Sequence, residues 1–164
     1  MNQFAARLGD AVAHPLPPVL TGGPCSPSVF IGNQPAWLGV PKAALAALMN
    51  TVKDAQEEIY KAELATQAVK GTLAEPDAKF NEGRTKIEQT ARVTNAIAAL
   101  ATSGVSTHAC ASLLPTPAPG VVVTGSNTVL INGLPACRAG DTIFEGLHAP
   151  NAITQGYPTV VIGG

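Results

Sequence analysis

Gly125-Ser126-Asn127-Thr128-Val129-Leu130-Ile131-Asn132-Gly133-Leu134-Pro135-Ala136 reads as a short apolar strand, a tight turn and a returning strand. Asn132 and Gly133 both tolerate the positive φ that a two-residue hairpin turn needs. Pro135, after the turn, offers no ladder donor. The stretch recurs. Ser26-Pro27-Ser28-Val29-Phe30-Ile31-Gly32-Asn33-Gln34-Pro35-Ala36 is another copy, and Gly156-Tyr157-Pro158-Thr159-Val160-Val161-Ile162-Gly163-Gly164 is a third, cut off by the chain end. A shorter unit also repeats: Ala6-Arg7-Leu8-Gly9-Asp10 matches Cys137-Arg138-Ala139-Gly140-Asp141. Hairpins this short cannot bury an apolar face alone, whereas three packed about a common axis can. The fold class that follows is mainly β, compact and pseudo-threefold.

Between the first two copies the pattern changes. Residues 11–40 and 93–137 contain no Asp, Glu, Lys or Arg, and most charges fall between Lys42 and Arg92. Pro41 suits a first helical turn. From there Leu45, Leu48, Val52, Ala55, Ile59, Ala62, Thr66 and Val69 recur at steps of three and four, the stripe of a helix that packs on another helix. Gly71 ends or weakens this helix, Glu75-Pro76-Asp77 starts the next, and Gly104 stops it. The second helix shows a thinner stripe of Phe80, Ile87, Thr94, Ile97 and Ala101. An antiparallel α-helical hairpin over residues 40–104 is therefore inserted into a β unit made of residues 1–39 and 105–164.

Composition narrows the function. The net charge of -1 gives no electrostatic footprint for nucleic acid. No apolar run reaches about 18 residues, so no membrane span is expected. The N-terminus lacks the apolar core of a secretory signal peptide. Three cysteines (Cys25, Cys110, Cys137) cannot all pair within one chain, and metal ligation becomes the sharper question.

There are three histidines, His14, His108 and His148, and each lies in the loop leading into one copy of the strand motif. Pseudo-threefold packing brings these loops to one end. Three imidazoles and a thiolate suit Zn²⁺, which in structural sites takes four N and S ligands; iron is the other metal this set permits. Cys110 is the preferred fourth ligand because His108-Ala109-Cys110 places both side chains on one loop, and Cys25 is the alternative. Cys137 reads as a small core residue. A tapering end has little volume for an apolar core, and metal binding worth about 10–16 kcal/mol can replace it.

At these residues the chain resembles the PAAR-repeat family, named for a Pro-Ala-Ala-Arg tetrad that stands here as Pro135-Ala136-Cys137-Arg138. The resemblance spans roughly residues 3–39 and 105–164 and leaves out the helices. It implies a small cone tipped by a metal that three His and one Cys hold: here His14, His108, His148 and Cys110. It also implies a structural role without catalysis, capping the trimeric spike, of the valine-glycine-repeat type, in type VI secretion and related contractile injection systems. Such a tip pierces a target membrane transiently, delivers effectors, and is cytoplasmic before firing and then secreted. The first copy departs from the pattern, since Trp37-Leu38-Gly39-Val40 lacks the Arg and Gly-Asp, and His14 precedes Pro15-Leu16-Pro17-Pro18 rather than glycines.

Two other readings compete. If Cys110 points away, a His₃ site with an open water position could serve a zinc-dependent hydrolase with Glu145 as base. Separately, residues 41–103 could contact an effector, a chaperone or the baseplate.

Overall fold

The computed structural model describes residues 2–13, 18–109 and 119–164. Their elements run β1 (Gln3–Ala5), β2 (Gly22–Gly23), β3 (Phe30–Ile31), β4 (Gln34–Pro35), α1 (Lys42–Ala68), α2 (Glu75–Ala101), β5 (Thr107–His108), β6 (Gly120–Val122), β7 (Leu130–Ile131), β8 (Leu134–Pro135), β9 (Thr142–Phe144), β10 (Asn151–Ala152) and β11 (Tyr157–Ile162). The strands are short, antiparallel and gathered in small sheets, and the two helices have 27 residues each. The architecture thus mixes α and β, with much of its regular structure in the insertion.

The repeated motif forms the hairpins its turns call for. β3 pairs with β4 through Phe30↔Pro35 and Ile31↔Gln34, and β7 with β8 through Leu130↔Pro135 and Ile131↔Leu134. Gly32, Asn33, Asn132 and Gly133 all have positive φ, between 53° and 80°. The third copy is completed from the other end of the chain. β11 pairs with β1 through Val161↔Phe4 and Ile162↔Gln3, the same two rungs. Phe4-Ala5-Ala6-Arg7 therefore stands where the other copies have Pro35-Ala36-Trp37-Leu38 and Pro135-Ala136-Cys137-Arg138.

Backbone hydrogen bonds close the three copies into rings. Ala6 N–H donates to Cys137 O at 2.8 Å, Cys137 N–H to Trp37 O at 3.2 Å and Trp37 N–H to Ala6 O at 3.1 Å. A second ring joins Leu8 to Pro35, Gly39 to Pro135 and Ala139 to Phe4, at 3.0, 2.8 and 2.8 Å. A third joins Gly9 to Leu20, Val40 to Val122 and Gly140 to Ile153. Paired backbone polar groups are what allow this axis to be buried. Trp37, Cys137 and Ala6 sit there in a core cluster with Val12, Leu20, Val122, Ile143 and Ile153.

Beyond the axis the chain forms another closed layer. One sheet has the order β10-β9-β6-β5-β2. Its two ends are joined through the segment Ala11–Val12, which bridges to Val19 and to Ile153. Among the described residues, this closure leaves the layer no open edge.

The helices leave the first copy after Val40. Leu48, Val52 and Ala55 of α1 and Val93 and Ile97 of α2 are buried with Leu38, Val40, Val105, Val121 and Leu134 of the β unit. The α1 stripe matches its expected residues. The α2 stripe matches only near its root: Ile97 is buried, with Thr94 and Ala101 half-buried, whereas Phe80 and Ile87 are 72% and 67% exposed. Further out the helices meet through polar groups. Lys86 pairs with Glu63 at 2.8 Å and Glu82 at 2.5 Å, and Thr66 Oγ1 donates to Ala78 O at 3.2 Å. A polar distal seam displaces the apolar side chains that a step of seven picked out.

Candidate metal centre and docking face

Ala11–Val12, β5 and β9 each pair antiparallel with the segment that follows them in the chain, so these strands end at one side of the closed layer, at or before each histidine. His14 and Cys110 follow the first two and lie outside the described residues. His108 is the last residue of β5 and is almost wholly buried. It pairs in register with Gly22 of β2 and Gly120 of β6. Its Nδ1 accepts the Thr21 N–H at 3.3 Å. His148 is half-buried in the loop between β9 and β10, and its N–H donates to Glu145 O at 3.3 Å. The Glu145 carboxylate accepts the Asn151 side-chain N–H at 3.2 Å. Among the described residues alone, no group of three or more His, Cys, Asp or Glu could hold a metal.

The remaining cysteines sit elsewhere. Cys137 is buried on the axis, and burial holds its thiol well above the ordinary range. Cys25 packs at the margin of the same core, where burial also pushes its thiol up. It precedes Ser26, whose N–H donates to Ala36 O at 3.0 Å beside the axis.

The joints between copies show a repeated lock that sequence reading missed. Arg7 Nη1 donates to Ile31 O at 3.2 Å and Gly32 O at 3.0 Å, in the next copy's turn. Arg138 Nη1 reaches the next turn in the same way, donating to the carbonyls of Gly163 and Gly164. Each Arg is held from behind, Arg7 by Asp10 at 3.1 Å and Arg138 by Asp141 at 3.0 Å. Burial raises both carboxyl pKa values, against the lowering pull of the arginines. The first copy has Leu38 at this position, buried against the helix root. There Asn132 bridges instead, accepting from Ser26 Oγ at 2.6 Å and donating to Ser28 Oγ at 2.7 Å. The repeat had already aligned Arg7 with Arg138; that each reaches the turn of the next copy emerges only with the N-terminus placed in the third copy.

Opposite the His-bearing loops, the hairpins present equivalent side chains. Phe30, Leu130 and Val161 occupy the same rung of the three hairpins and are 61%, 60% and 53% exposed. The neighbouring rung turns inward, with Ile31 and Ile162 buried. Strand alternation explains the pair: one side chain feeds the core and the next faces out.

Comparison with known families then matches residues 114–164 to the PAAR motif. This chain carries a PAAR motif. The match covers the second hairpin, the Arg138–Asp141 lock, the His148 loop and β11. The copy built on Phe30 lies outside that match, yet it closes the same rings as the PAAR residues. No curated protein and no solved structure matches the chain. Among the described residues, no helix is long and apolar enough to cross a membrane.

Proposed function

We propose that this chain is the metal-stapled tip that caps the trimeric spike of a type VI secretion or related contractile injection system, with a structural role rather than a catalytic one. The observation that carries the reading is the pseudo-threefold set of Phe30, Leu130 and Val161 on one face. One asymmetric chain offers three near-equivalent apolar contacts, which suits a threefold partner. Apolar patches of this kind mark docking surfaces. Phe30→Asp or Val161→Asp should weaken binding to the purified spike trimer while leaving the circular dichroism spectrum unchanged. Undiminished binding by both variants would refute the docking face.

At the opposite end, His14, His108, His148 and Cys110 are the residues that would hold zinc, with iron as the other candidate. The donor set fits, with three nitrogens and one sulfur drawn from three loops of one end. Metal bound there would tie the loops into one rigid point. Uptake also has a local signature. Ligation through His108 Nε2 turns Nδ1 into a donor, and ligation through Nδ1 excludes the Thr21 amide, so either mode breaks the 3.3 Å bond. The Thr21 amide resonance should therefore move when zinc is added to metal-free protein, and Cys110→Ala should reduce zinc below one per chain by elemental mass spectrometry. A static Thr21 resonance with full zinc would place the metal elsewhere.

In this reading the tip assembles in the cytoplasm, pierces a target membrane transiently and leaves the cell on the spike. The outer half of the helical hairpin, with Tyr60, Leu64, Phe80 and Ile87 exposed, is the surface for an effector, chaperone or baseplate contact.

A further inference from the structure

The docking face is not uniform. A groove of about 440 Å³ opens between the start of α1 and the β7–β8 hairpin, lined by Pro41, Lys42, Leu45, Ser126 and Leu130 among others. Leu130 also belongs to the exposed triad, so the groove runs on from the docking face at one hairpin of three. Among the described residues, no helix is rooted beside the other two hairpins.

Its charge is one-sided. Lys42 is the only charged residue in the lining. The α1 start adds to this sign: Pro41 caps it without a side-chain hydrogen bond, and no acidic residue stands in the first turn. A helix N-terminus carries partial positive charge. The remaining lining is largely apolar or backbone.

We infer that this groove receives an apolar segment bearing a carboxylate from one of the three subunits of the spike trimer, with Lys42 facing the carboxylate. The inference rests on the docking reading above, which supplies the partner. It adds that docking is asymmetric: one subunit is held through a contact that the other two lack. The inserted helices would then brace the joint as well as decorate the tip.

The test measures the affinity of the full chain for the purified spike trimer of the source organism by calorimetry over a salt series. Lys42→Glu is a clean variant, because an acidic residue in a first helical turn favours the helix. It should weaken binding on the order of ten-fold and flatten the salt dependence, while Lys42→Arg stays near wild type. Phe30→Asp, outside the groove, reports on the docking face separately. Normal affinity for Lys42→Glu with weakened Phe30→Asp overturns the groove and leaves the docking face standing. Normal affinity for both overturns both. Equal loss in Lys42→Glu and Lys42→Arg also overturns the groove, since charge would then not be its basis.

Discussion

Arg138 and Arg7 perform the same task in different surroundings, and the difference fixes what each is worth. The Arg138 side chain is 9% exposed and Asp141 3%, while Arg7 is 21% exposed. Arg138→Ala leaves a buried carboxylate without its partner, a loss of about 3–5 kcal/mol. Arg7 also stacks on the Tyr157 ring at 4.2 Å, but water reaches the pair, so Arg7→Ala should cost about 1–2 kcal/mol. Urea melts of the two variants check the order. Asp141 sets a pH dependence as well. Its folded pKa is raised by burial, so the folded state binds the proton more tightly than the unfolded chain. That contribution is fully present below the unfolded value and is lost as pH rises through the folded one. The stability gap between wild type and Asp141→Asn should therefore favour wild type more at about pH 4 than at about pH 7.

Among the elements, the hairpin turns were the most legible, because Gly32-Asn33 and Asn132-Gly133 carry their positive φ in their chemistry. Gly32 is constrained twice, since a Cβ there would sit 2.4 Å from Tyr157 Cζ. The third hairpin was legible only in half. Its missing strand lies at the opposite chain end, and a local pattern carries no record of such a partner. The outer stripe of the second helix was misread for another reason. Steps of seven ran from Phe80 through Ile87 to Thr94, but in their outer half the helices meet through Thr66 with Ala78 and Lys86 with Glu63 instead. Ile97→Ala should thus cost about 2–5 kcal/mol, whereas Ile87→Ala should stay within about 0.5 kcal/mol. Thermal unfolding of the two variants separates these outcomes.

Across the whole molecule, symmetry and its breaking have distinct origins. Three closed rings of backbone bonds create the symmetry, and they use almost no side-chain identity. This is why Ala6, Trp37 and Cys137 can share one role. The insertion breaks it, replacing an Arg by Leu38 and moving one joint from an Arg–Asp lock to apolar packing under the helices. The candidate metal set rests on the three histidines, whose loops precede the repeat, and on the His108-Ala109-Cys110 spacing. Its geometry was not legible in the sequence, because convergence depends on how those loops close. The central claim is that one chain supplies all three contacts to a homotrimer. Native mass spectrometry of the chain mixed with the purified spike trimer tests it most directly. The account predicts one chain bound per trimer even with the chain in excess; three chains per trimer, or none, would contradict it.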